Sequence, residues 1–249
     1  MPRAALLSAS QALFHVPDLV RYGSKPMREV RRDPERLTQL QAHLRGFGAA
    51  LAYAPHQAFI GNLAPDELAT IERPWYCHPL TEAAAEGPFG RIYDQAAFYR
   101  LLKGSDGFGL VHFDGEGELP LFDGGRPIGW IEAGHPEDES QTANVMLENL
   151  ACKTTAVEAV RLCLKDSDPA DVEYVLNSGE EAIGDRYQRG GGNLAKAVAE
   201  AAGCANASGA DVKAFCCAPA HALVIAAALV EAGPGQRLVG IPAHPGRAA

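Results

Sequence analysis

No stretch of this sequence is apolar enough to cross a bilayer. The longest apolar run, Ala222 to Val230, has nine residues, far short of the roughly 20 that a membrane span needs, and it reads as a buried helix. The opening Met1-Pro-Arg-Ala-Ala-Leu-Leu-Ser-Ala-Ser is too short and broken for a secretory h-region. The six cysteines, Cys77, Cys152, Cys163, Cys204, Cys216 and Cys217, form no CxxC pair in 249 residues. Disulfide frameworks belong to short secreted domains, so free thiols in a reducing cytoplasm are expected, with Cys77, Cys152, Cys163 and Cys204 as small core residues. Positive charge is scarce too: 22 Lys and Arg against 31 Asp and Glu leave a net charge of -9, which disfavours a general nucleic-acid binder. The eight histidines show no metal spacing and no HExxH, and neither a Walker A loop nor a GxGxxG is present, so no metal and no cofactor is expected.

What remains is an ordinary globular composition, 47% apolar and 21% charged, long enough for one large domain or two small ones. The character changes near residue 147. Before it, aromatics, proline and charge dominate. Residues 3 to 22 read as a strand and an irregular segment. Asp33 and Pro34 open a helix to about Gly46, Ala64-Pro-Asp-Glu-Leu starts another, and Asp94 to Lys103 reads as a third. Phe108 to Asp114 and Leu119 to Asp123 read as strands, and Pro136-Glu-Asp-Glu-Ser as a solvated connector.

After residue 147 the pattern turns regular. Leu147 to Lys165 reads as an amphipathic helix broken at Asp168-Pro, Val172 to Asn177 as a strand, and Asn193 to Ala202 as a helix ended by Gly203. Gly209 to Phe215 reads as a strand, Ala218 to Ala232 as an apolar central helix, and Arg237 to Ile241 as a further strand. Helix alternating with strand predicts an α/β fold with a mostly parallel sheet covered by helices. The expected division is an N-terminal α/β region 1–147, a nucleophile-bearing region 148–241 and an irregular tail 242–249.

That pattern places Cys216 where a strand turns into a helix. A helix N-terminus carries partial positive charge and unpaired N–H groups. Both favour thiolate, the reactive form of cysteine, and the same N–H groups can stabilise an oxyanion during acyl transfer. Cys216 is therefore the candidate nucleophile. Cys217 is a weaker candidate, since neighbours on a helix point in different directions and only one of the pair faces a given site. His221, five residues on, lies about 140° around the helix, an awkward place for a base on Cys216, and reads as a packing histidine. His56 is a further weak candidate, polar within an apolar loop. Gly190, Gly191, Gly192 and Asn193 precede a helix and could hold an anion on their N–H groups, although a flexible loop before a helix start explains them as well.

Several segments carry a resemblance. Asp211-Val-Lys-Ala-Phe-Cys216 and the small-residue helix after it are similar to the nucleophile segment of thiolase-fold enzymes, including the initiating β-ketoacyl synthases. Tyr22-Gly-Ser-Lys-Pro, Ala54-Pro-His-Gln-Ala-Phe-Ile-Gly-Asn-Leu, Glu148-Asn-Leu-Ala-Cys-Lys, Gln188-Arg-Gly-Gly-Gly-Asn and Cys217-Ala-Pro-Ala-His-Ala-Leu resemble the protein C beta subunits of glycine/sarcosine/betaine reductase complexes, from about residue 11 to residue 232. The resemblance implies a thiolase-like fold, of which this chain carries the first, nucleophile-bearing half behind a family-specific N-terminal region. It implies a cytoplasmic complex of amino-acid fermentation in which the position of Cys216 carries an acetyl thioester. The carboxymethyl group would come from selenoprotein A, and phosphate would release acetyl phosphate. Expected partners are a protein C alpha subunit, selenoprotein A and further copies or subunits; nucleic acid and membrane are not. Thiolase-fold enzymes draw further catalytic residues from a second, similar half. Here Pro242-Ala-His-Pro-Gly-Arg-Ala-Ala does not resemble a continuing strand and reads as a truncated or out-of-frame end. The alternatives are a generic ketoacyl-synthase-like acyltransferase and a truncated, non-catalytic assembly subunit.

Overall fold

The computed structural model describes residues 4–22, 33, 35, 38, 42, 46–48, 85–87, 90–135, 137–179, 193–214, 217–232 and 238–242. Two compact units emerge, one of Gln11–Arg100 with Leu121–Ile128, the other of Met1–Ser10, Leu101–Pro120 and Gly129–Ala249. The expected boundary at residue 147 falls inside a continuous helix of the second of these.

In the smaller unit, β1 (Ala12–Phe14) pairs in parallel with β3 (Gly90–Tyr93), which pairs antiparallel with β2 (Glu86–Gly87). The helix α1 (Pro17–Tyr22) falls in the segment expected to be irregular; Pro17 opens it at the position where a missing N–H costs nothing. The next helix, α2 (Gln95–Ser105), starts here, and Asp94 caps it by accepting from the Ala97 N–H. Gln95 is buried and serves four partners: its Oε1 accepts from the N–H groups of Asp18 and Leu19, and its Nε2 donates to the Phe122 carbonyl and the Asp123 carboxylate. Phe14 stacks on Tyr93 with centroids 5.0 Å apart. Asp33 accepts from the Glu35 N–H, as its capping role requires, and positions 35, 38 and 42 are helical.

Strand β5 (Leu119–Asp123) turns into β6 (Arg126–Ile131) through Gly124 and Gly125, both at positive φ (58° and 74°), which a two-residue hairpin turn needs. The latter strand was not expected from the sequence. The strand expected over Phe108 to Asp114 shrinks to β4 (Val111–His112), paired antiparallel with the end of β6. Asp106 takes the Phe108 and Val111 N–H groups, holding 106–110 as a loop.

The larger unit holds the fully parallel sheet, in order β8 (Ser208–Val212), β7 (Val172–Ser178), β9 (Leu238–Gly240). Helix α3 (Ala143–Cys163) starts four residues earlier than the sequence suggests because Thr142 caps it. It is also not amphipathic: Asn149, Lys153, Thr154 and Glu158 are buried along with its apolar residues. Helix α4 (Leu194–Ala202) follows the expectation. Asn193 caps it, and Gly203 closes it at φ 90°, with Gly203 N–H on the Glu200 carbonyl and Cys204 N–H on the Ala199 carbonyl.

One face of the sheet packs Val172 and Val175 against Ala156, Val157 and Val160 of α3 and Leu194, Ala195 and Val198 of α4. The other packs Leu176 against Ala222 and Ala226 of α5 (Ala218–Ala232). A bulge at Val172/Tyr174 places Val172 and Val175 on one face although they are three residues apart. Helix α5 has the expected bounds but is not a buried central helix. Only Ala218, Ala222 and Ala226 are enclosed, because the sheet covers one side of it.

Gly209 is required by close approach. A Cβ there would lie 2.9 Å from the Val175 carbonyl oxygen and 3.0 Å from the Ala195 Cβ. Gly209→Val is expected to force α4 off the sheet at about 1–3 kcal/mol. Differential scanning calorimetry would then read a fall in Tm of about 2–4 °C per kcal/mol; an unchanged Tm would mean that α4 does not sit this close.

Candidate functional site

Ligands of open parallel sheets bind beyond the carboxyl ends of the strands. Here those ends are Ser178, Val212 and Gly240. Cross-strand bonds fix them. Ser178 donates from both its N–H and its hydroxyl to the Pro242 carbonyl at 3.0 and 3.2 Å, joining the exit of β7 to that of β9. Lys213 donates to the Gly179 carbonyl at 3.4 Å, joining the exit of β8 to that of β7. Burial pushes the Lys213 amine below its ordinary pKa, partly offset by the Cys152 thiol nearby.

Between the end of β8 and the start of α5 lie five residues, 213 to 217. The Cys217 N–H donates to the Ala214 carbonyl at 3.0 Å. Cys216 itself lies outside the described residues, as do His56, Gly190, Gly191 and Gly192. Cys217 is exposed at the first turn leading into α5. His221, also exposed, lies one turn further on.

Asp211 anchors this end of the sheet, and the sequence reading gave it no role. Its Oδ2 accepts from the Leu194 N–H at 3.0 Å, and its Oδ1 accepts from the Ala195 N–H and from Nδ2 of the wholly buried Asn177, both at 3.0 Å. A carboxylate in the interior of a strand is unusual, and that was the available signal. Asn193 completes the arrangement, accepting from the Lys196 N–H and donating to the Gly209 carbonyl. The Ala197 N–H goes to the Asn193 carbonyl. The first three amides of α4, those of Leu194, Ala195 and Lys196, are thus taken by side chains of the chain itself, and the anion on this helix dipole is Asp211. The described part of the Gly190–Asn193 candidate is therefore a helix cap.

Of the core cysteines, Cys152 and Cys204 are buried, and burial pushes the Cys204 thiol above its ordinary pKa; Cys163 is half-buried and Cys77 lies outside the described residues. His112 is the other prominent titratable group. Its Nδ1 meets the Asp114 carbonyl at 2.8 Å and its Nε2 the Glu132 carboxylate at 2.7 Å, and these two acceptors, in that order, raise its pKa. Both ring nitrogens are engaged, so His112 is a strut across β4 and β6. Among the described residues, no cluster of His, Cys, Asp and Glu could hold a metal ion, and no helix is long and apolar enough to cross a membrane.

No protein-family model matches the chain. Its sequence is similar to the glycine/sarcosine/betaine reductase complex component C subunit beta of Peptoclostridium acidaminophilum, 36% identical over a 273-residue alignment that takes in 92% of this chain and 53% of the relative. The chain thus spans about half the length of that curated relative. Among solved structures, the priming β-ketosynthase of the R1128 polyketide pathway is 28% identical with a TM-score of 0.34, covering 47% of this chain and 30% of its own.

Proposed function

We propose, from its 36% identity over 92% of its own length to the component C beta subunit of glycine/sarcosine/betaine reductase, that this chain is an acyl-transfer subunit of that family with Cys216 as the nucleophile. The observation that supports this most is that sequence similarity, joined to the placement of Ala214 and Cys217, whose carbonyl and N–H bond at 3.0 Å, between the carboxyl end of β8 and the N-terminus of α5. A thiolate is favoured at the positive end of a helix dipole.

In this reading the fold is thiolase-like, and Cys216 carries an acetyl thioester formed from the carboxymethyl selenoether of selenoprotein A. The balance is internal to the complex. The methylene carbon is reduced to methyl, the carboxyl oxygen leaves as water, and the selenium is oxidised to a selenide–sulfide with a thiol of its own protein. A phosphate oxygen then attacks the thioester carbonyl and expels the Cys216 thiolate, releasing acetyl phosphate. Protein C alpha and selenoprotein A are the partners, in the cytoplasm. Lys213, tied to β7, and Asp211, tied to α4, hold the strand that leads to Cys216.

The test is alkylation by limiting iodoacetamide across pH, with the label located by peptide mass spectrometry. Labelling of Cys216 is expected first, and well below the ordinary thiol pKa of about 8.5. Labelling that reaches Cys216 only on unfolding would instead favour a non-catalytic assembly subunit.

A further inference from the structure

Strand β4 leads into β5 through residues 113–118, and this strap lies against the pair formed by His112 and Glu132. A Cβ on Gly117 would come 2.5 Å from Glu132 Oε1, 2.5 Å from the Trp130 Cβ and 3.0 Å from His112 Nε2. The imidazole is also stacked beside the Trp130 ring, with centroids 6.1 Å apart. The strap is thus seated on β6 where only glycine fits, and His112 ties it there. One ring nitrogen meets the Asp114 carbonyl of the strap at 2.8 Å, the other the Glu132 carboxylate of β6 at 2.7 Å.

The two partners fix the protonation state that this geometry needs. A carbonyl and a carboxylate only accept hydrogen bonds, and a neutral imidazole carries a single N–H. It can therefore serve one of the two, whereas the imidazolium donates to both. We propose that His112 is a pH-dependent latch, which closes the strap 113–118 on β6 when protonated and releases it when neutral.

The surrounding charges act in the same direction. The strap carries Asp114, Glu116 and Glu118, and β6 ends at Glu132. Asp106, in the loop before β4, accepts from the Phe108 and Val111 N–H groups, and Lys103 of α2 donates to the Val111 carbonyl. Loss of the His112 proton removes one of two cations, His112 and Lys103, from among these carboxylates, and their repulsion favours release. The Asp114 carbonyl first, and Glu132 after it, hold the His112 pKa above its ordinary 6.5 against burial and Lys103. A pKa raised in the folded state gives a contact fully present below the ordinary value. The latch therefore opens as pH rises through the higher one.

Hydrogen–deuterium exchange of the full chain tests this, read by mass spectrometry on peptides spanning 113–118 and corrected for intrinsic base catalysis, between about pH 5.5 and about pH 8.5. Opening of the strap is expected to rise about fivefold across that range, which corresponds to ~1 kcal/mol for one lost charge-assisted hydrogen bond at a part-exposed site. His112→Gln, which donates from one nitrogen only, is expected to give the open level at every pH with an unchanged circular dichroism spectrum. Glu132→Gln keeps an acceptor oxygen but no charge, and is expected to move the His112 titration, followed by ring-nitrogen NMR, to lower pH. Strap exchange that stays flat with pH in the parent overturns the latch. So does a pH step that survives in His112→Gln, or a His112 titration that Glu132→Gln leaves in place.

Discussion

Cys216→Ser is expected to abolish acyl capture while leaving the fold intact. Serine is close to cysteine in size, but its hydroxyl stays protonated where a thiol at a helix N-terminus ionises. The reverse half-reaction isolates the step: incubation with acetyl phosphate places one acetyl group on the peptide that contains Cys216 and frees phosphate. A loss on the order of 10³-fold or more is expected for the serine variant, read by intact-protein mass. Acetylation that persists in Cys216→Ser and disappears in Cys217→Ser would move the nucleophile one residue on. Persistence in both would remove the acyl-transfer reading altogether.

Asp211→Ala is expected to be strongly destabilising. It deletes an acceptor that serves two helix amides and the buried Asn177 amide, all at 3.0 Å. Those donors then face one another with no anion between them. Hydrogen bonds to charged groups contribute about 1.5–3 kcal/mol each, but water reaches part of this site, so a net loss of about 2–4 kcal/mol is expected. At about 2–4 °C per kcal/mol, thermal unfolding would read this as a fall of roughly 5–15 °C. Asp211→Asn does not rescue it, since an amide offers one acceptor oxygen where both carboxylate oxygens are used. A variant within 1 °C of the parent, well inside the ~2 °C per kcal/mol scale, would show that the carboxylate does not anchor α4.

The local punctuation of the second half was legible in the sequence. Asn193 before an alanine-rich run and Gly203 after it bounded α4 to within a residue, because capping is decided by side chains within three or four positions of the helix end. The bounds of α5 were legible from its run of apolar residues ahead of Gly233-Pro-Gly in the sequence, and so was the strand–helix alternation that makes the sheet parallel. Less of the first half could be read. Strand β6 carries Pro127 and Gly129 and lacks a strand pattern; its pairing with β4 is what makes it a strand. The strand-to-helix junction in which Cys216 is the candidate nucleophile was legible in the sequence, because such a junction is a local event. Its anchor Asp211 was not, because Leu194, Ala195 and Asn177 lie 17, 16 and 34 residues away and meet it only in the folded chain.

The sequence by itself therefore determined the α/β class, the ends of α4 and α5 and the position of the strand-to-helix turn, all of which depend on neighbours along the chain. Only the tertiary structure decided which charges are buried, as on α3, and which apolar residues are not, as at Leu223 and Val224 on α5. Hydrophobic pattern states what a helix can bury, whereas what it does bury depends on how much of its circumference another element covers.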